Sequence, residues 1–128
     1  MTKAFLLLII LALLAVSSAP GAADARRSSI WIEDSPTLSF GQPVAFGYDS
    51  DRATSIQLHC FQPVGTTNLV FADSRMLFEG GWGYGEPFYL GPSAAWTEGA
   101  ATCKAMLGHR LNSGKYMIEA SLTFDVAP

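Results

Sequence analysis

The chain has 128 residues, 49% of them hydrophobic and only 15% charged, with a formal net charge of −3. Soluble domains usually carry about 25% charged residues, so this chain is unusually neutral. A length of this order supports one domain with one modest core, which argues against a two-domain enzyme or a broad nucleotide-binding sheet. The mild acidity argues against nucleic acid, whose binders concentrate basic residues on one face.

Residues 1–25 read as a signal peptide. Lys3 supplies a short positive start, and Ala4 to Val16 is an unbroken apolar run of thirteen residues. As a helix that run spans only ~20 Å, short of the ~30 Å hydrocarbon core, so an uncleaved anchor fits less well. Ala23-Asp24-Ala25 matches the small-x-small pattern read by signal peptidase, which places cleavage after Ala25. The mature chain, 26–128, is then a single exported domain, extracellular or periplasmic, with no membrane span left after cleavage.

Beyond residue 25 the apolar residues recur with period two, the signature of half-buried strands. Residues 29–33 and 38–40 flank Pro36 and read as a first strand broken in two. Val44, Phe46 and Tyr48 alternate with neighbours of smaller size until Asp49-Ser50-Asp51 ends the run. Ile56, Leu58 and Cys60 point one way and Gln57, His59 and Phe61 the other, with Pro63 as the expected stop because it cannot donate to a ladder. Residues 68–72 and 86–90 are shorter candidates. Ala101, Cys103, Ala105 and Leu107 form one face of a strand that turns at Asn112-Ser113-Gly114 into the last one. There Tyr116, Ile118, Ala120, Leu122, Phe124 and Val126 all fall on one face. These two segments predict a terminal hairpin. Seven or eight short strands separated by Gly, Pro, Asn and Asp predict an all-β antiparallel sandwich.

Cys60 and Cys103 are the only cysteines, and export would put them where disulfides persist. A structural disulfide is the expectation. There is no Cys-x-x-Cys, and no histidine stands at zinc-finger spacing, so no metal or redox role is assigned.

The stretch Trp96-Thr97-Glu98-Gly99-Ala100-Ala101-Thr102-Cys103-Lys104-Ala105 resembles the strand before and through the second cysteine of immunoglobulin-like domains. Gly99, four residues before the cysteine, matches the strand opener. Thr97 and Ala101 depart from the family's usual Asp and corner Tyr, and no tryptophan follows Cys60 at the family's spacing. The resemblance therefore implies an immunoglobulin-like or fibronectin-III-like sandwich and no activity. Counting strands within that architecture puts Cys60 on the third, so the bridge would join two antiparallel neighbours of one sheet. The inter-sheet bridge of antibody domains is the other reading. In the in-sheet reading His59 faces Lys104 and His109 faces Thr54, which leaves the histidines ~17 Å apart and unable to share a metal.

No catalytic signature is present: no Gly-x-Ser-x-Gly, no His-Glu-x-x-His, no phosphate-binding glycine loop. The pair Asp49 and Asp51 supplies too few oxygens for calcium by itself. The expectation is a protein that is not an enzyme and takes no cofactor.

The most distinctive segment is 78–89, Phe-Glu-Gly-Gly-Trp-Gly-Tyr-Gly-Glu-Pro-Phe-Tyr, with five aromatics and four glycines in twelve residues. Glycine this dense favours a loop. Large aromatics on a loop either fold back over the core or meet a partner. Trp82, Tyr84, Phe88 and Tyr89 are the candidate partner-binding residues, because Trp and Tyr dominate binding hot spots and their flat faces suit sugar rings. Trp31 is either a core or an edge residue. The expected function is a secreted, non-catalytic binding module for a protein or surface glycan. The alternative is a structural part of an extracellular or virion assembly that uses sheet edges.

Overall fold

The computed structural model describes residues 27–64 and 66–128; the segment 1–25, read above as a signal peptide, lies outside the described residues. The described chain is all-β, with eight strands: β1 (Ser29–Ile32), β2 (Pro43–Val44), β3 (Phe46–Asp49), β4 (Ser55–Val64), β5 (Thr66–Met76), β6 (Phe88–Tyr89), β7 (Ala101–Arg110) and β8 (Tyr116–Val126). One layer is a four-stranded antiparallel sheet in the order β5-β4-β7-β8. The facing layer consists of two short antiparallel pairs, β1 with β3 and β2 with β6.

The core forms where the two layers meet. Ile56, Leu58 and Cys60 of β4, Ala101, Cys103, Ala105 and Leu107 of β7, and Phe124 and Val126 of β8 are all buried, against Val44, Phe88, Leu90 and Trp96 from the other side. Trp96 is the largest fully buried side chain. Phe40 meets its ring edge-on at 5.4 Å and Phe71 at 6.0 Å, and its Nε1 donates to Gly99 O at 2.9 Å. The indole N–H would otherwise be a costly buried donor.

Cys60 and Cys103 are joined by a disulfide and are directly opposed in the ladder between β4 and β7. The bridge thus links neighbours within one sheet. His59 faces Lys104 as that register requires, while the ladder ends at Ser55–Gly108, one pair short of Thr54 and His109.

Three expectations are corrected. Pro63 does not end β4, which continues to Val64. The proline is tolerated because β7 pairs with β4 only as far as Phe61, leaving Pro63 with a single neighbour, β5. The second part of the divided first strand, 38–40, makes only an isolated parallel bridge, Ser39 with Ala127. The alternation along β8 is also broken. The register against β7 shifts by one between Leu107 and Gly108, so Leu107 faces Ala120 but Gly108 faces Ile118. The extra residue at Glu119 is a β-bulge, which sends the side chains before it to the opposite face. Leu122, Phe124 and Val126 therefore point into the core, whereas Ile118 is exposed. Tyr116 lies on the outer face, where its hydroxyl meets Ser55 O at 3.0 Å, Ser55 Oγ at 3.2 Å and Met106 O at 3.2 Å. Burial raises the pKa of that phenol above 10.0.

Candidate functional site

The glycine-rich segment leaves β5 at Met76 and re-enters regular structure at Phe88. It is a succession of tight turns, closed by Gly81 N–H to Phe78 O at 3.0 Å, Tyr84 N–H to Gly81 O at 3.2 Å and Glu86 N–H to Gly83 O at 3.1 Å. Gly80, Gly83 and Gly85 have φ of 86°, 67° and 77°, a region that side chains other than glycine enter at a cost. Gly83 has a second constraint, because a Cβ there would run into Cδ of Arg75.

Arg75 fastens this loop to the sandwich. Its Nη2 donates to Pro87 O at 3.0 Å, and its Nη1 meets Ser74 O and Asp73 Oδ2, both at 2.8 Å. The guanidinium lies over the Phe88 ring. Arg75 and Asp73 face inward on an edge strand, where the ion pair cancels their charges. A final tie is the Met76 N–H, which donates to Trp82 O at 2.8 Å.

The loop holds its aromatics outward. Trp82 is 74% exposed, Tyr89 56% and Tyr84 51%, with Phe78 similarly placed. They do not fold back over the core. Phe88, by contrast, is 3% exposed and packs edge-on against Phe46, so it is a core residue with no surface to offer a partner. The sequence gives no sign of that difference, since Phe88 and Tyr89 are adjacent aromatics; strand alternation in β6 separates them. Trp31 is partly exposed and lies across Gly47, its partner in the β1–β3 ladder.

Between the loop and β3 runs a half-open cleft of about 310 Å³. Its buried lining includes Ile56 and Phe88, and its exposed lining includes Tyr48, Tyr84 and Glu86. Tyr84 and Phe88 thus share one cleft, whereas Trp82 and Tyr89 lie outside it. The size is at the lower end for a ligand-binding pocket, and the arrangement suits one apolar or ring-shaped group. Glu79 and Glu86 are exposed on the loop, and the segment 77–90 contains no basic residue. The surface beside the aromatics is therefore mildly acidic.

Part of the outer edge of β5, at Val70, Ser74 and Met76, is capped from within the chain. Backbone groups along a strand point alternately to its two sides. Met76, bonded outside the ladder, sets the phase, so Ala72 and Ser74 also point away from β4. Ser74 N–H is taken by Asp73 Oδ1 at 2.8 Å and Ser74 O by Arg75 Nη1. Val70, the extra residue of a bulge between Cys60 and Phe61, has its carbonyl taken by Ser93 Oγ at 2.5 Å. Sequence reading passed over Arg75 and Ser93, because an arginine and a serine carry no local signal of what they cap.

Comparison of the chain with known protein families, curated proteins and solved structures finds no match.

Proposed function

We propose that the protein is a secreted, non-catalytic binding module on an immunoglobulin-like sandwich, which contacts a protein or surface glycan through the loop 78–89. The observation that carries this reading is a rigidly fastened loop that keeps Trp82, Tyr84 and Tyr89 in solvent. A loop held by several hydrogen bonds loses little freedom on binding, so exposed aromatics on it are efficient contacts. The adjoining cleft accepts one apolar or ring-shaped group of the partner between Tyr48 and Tyr84. Secretion is supported by the disulfide, a feature of oxidising compartments, and by the leader-like segment 1–25.

The test compares wild type with a Trp82→Ala/Tyr84→Ala variant, in capture from the native extracellular fraction and against a glycan panel. Loss of the same bound species in the variant supports the reading. Equal capture by both proteins rejects it.

A second reading, a structural component of an extracellular or virion assembly, has support from one sheet edge only. The edge of β5 is capped at Val70, Ser74 and Met76, whereas residues 120–126 of β8 have no backbone partner on their outer side among the described residues.

A further inference from the structure

The phase of the four-stranded sheet can be followed from one edge to the other. Because Ala72, Ser74 and Met76 point away from β4, the pairs Arg75–Ile56, Asp73–Leu58 and Phe71–Cys60 carry the bonds between β5 and β4. Bonding then alternates across the sheet, through Gln57–Met106 and His59–Lys104 between β4 and β7 to Ala105–Leu122 and Cys103–Phe124 between β7 and β8. It follows that Ser121, Thr123 and Asp125 direct their N–H and C=O groups off the open side of β8. The next residue in that phase confirms it: Ala127 N–H donates to Leu38 O, and Ala127 O accepts from Phe40 N–H, both at 2.9 Å.

Between the bulge at Glu119 and the bridge at Ala127, the edge 120–126 has no backbone partner among the described residues. β1 packs near β8 in the other layer, but no backbone hydrogen bond joins the two. Ser121, Thr123 and Asp125 are exposed, and Asp125 is already held by Thr102 Oγ1 at 3.1 Å. The usual protections of an edge are sparse here: one acid, no lysine and no proline in the window.

We propose that this edge is a dimer interface, in which β8 pairs antiparallel with β8 of a second copy around a two-fold axis at Thr123. The sequence of the edge selects both the occupant and the register. Centred on Thr123, Thr123 faces its own copy, Asp125 faces Ser121, and Leu122 faces Phe124 on the inner side. Thr–Thr and apolar cross-strand pairs are favourable. Sliding by one bonded pair in one direction would place Asp125 opposite Glu119, and two acids opposed across strands repel. Sliding in the other direction would bring Ser121 against Ala127, whose backbone groups are occupied. The window 120–126 is itself symmetric about Thr123.

A two-fold contact of this kind uses the same patch on both copies and so closes on itself. The closed two-fold contact uses up the β8 edge of each copy, and the β5 edge at the other side of the sheet is capped at Val70, Ser74 and Met76. This goes beyond the loop reading and does not depend on it. β5, from which the loop 78–89 emerges, is the opposite edge of the sheet, so a dimer presents two aromatic loops, and binding to a multivalent surface gains avidity.

Sedimentation equilibrium of the purified, disulfide-bonded protein over a dilution series gives the direct test. The wild type is expected at twice the monomer mass. Thr123→Pro removes an N–H that no intrachain bond uses, so the monomer keeps its ladder, and the mass is expected to fall twofold. Thr123→Lys, which sets two ammonium groups against each other at the axis, is expected to do the same and covers the case in which the proline variant does not fold. Thr123→Cys is expected to form an intermolecular disulfide under mild oxidation, whereas Thr102→Cys, one strand inward, is not. A wild type that stays monomeric, or a dimer that survives Thr123→Lys, overturns the proposal. Capture through the loop by the monomeric variants would separate the two functions.

Discussion

The guanidinium carbon of Arg75 lies 4.6 Å from the centre of the Phe88 ring. This contact joins a charged side chain of the edge strand to a buried ring at the far end of the aromatic loop. Arg75 is therefore the hinge pin of the candidate site although it is hardly exposed itself. Replacing Arg75 with Ala removes the stacking and the hydrogen bond to Pro87 O, and leaves Asp73 without its partner. The expected cost is about 2–3 kcal/mol in urea unfolding. Faster amide exchange at Gly81, Tyr84 and Glu86 should accompany it; unchanged exchange there would contradict the anchoring role.

Gly83 and Gly85 both have positive φ, but only Gly83 sits against Arg75. Gly85→Ala should cost about 1–2 kcal/mol, from backbone conformation alone. Gly83→Ala must in addition displace the Arg75 stem and should be the more damaging of the two. Thermal melts of the two variants side by side read that order directly.

Trp82 and Phe88 stand six residues apart in the same loop and should respond in opposite ways. Trp82→Ala is expected to leave stability within about 0.5 kcal/mol of wild type, as for an exposed side chain, and to weaken partner capture. Phe88→Ala empties a core position and should cost about 3–5 kcal/mol. Equal destabilisation by the two substitutions would be incompatible with the outward placement of Trp82.

Tyr116 gives the fold an alkaline limit. Its pKa is raised by burial from 10.0, so the folded protein holds this proton more tightly than the unfolded chain. Its contribution is complete below pH 10 and declines as pH rises from there through the folded-state value. In Tyr116→Phe, stability at neutral pH should drop by about 1–2 kcal/mol, because Ser55 loses its hydroxyl partner in a buried setting. Its alkaline decline should be shallower than that of wild type. Urea midpoints measured from pH 8 to 11 for both proteins check the sign.

Removing the disulfide tests how much the sheet needs it. The bridge spans a sequence separation of 43 residues, for which chain entropy alone is worth about 4 kcal/mol. Cys60→Ala/Cys103→Ala should therefore lose about 2–5 kcal/mol in denaturant unfolding.

The fold class was legible because it rests on alternation. Ile56, Leu58 and Cys60, and likewise Ala101, Cys103, Ala105 and Leu107, face the core as their spacing requires. The cysteine pairing followed from there being only two cysteines, and of the two bridge readings the strand count left open the in-sheet one is observed. What stayed hidden depends on contacts distant in sequence. The bulge at Glu119 has no local mark and emerges only where β8 must fit β7. Trp96 reads as an unremarkable loop residue until Phe40 and Phe71 close around it. In the candidate site, composition singled out the loop, but the roles within it were decided by Arg75, a residue outside it.

The in-sheet bridge has one more consequence. Cys60 and Cys103 close a covalent ring that contains β5, the whole aromatic loop and β6. A peptide bond cut anywhere within that ring leaves a single molecule, its two pieces tied at the centre of the sheet. The exposed aromatic loop can thus be nicked by a protease without releasing a fragment. Such a nicked form would run as one species on a non-reducing gel and as two after reduction.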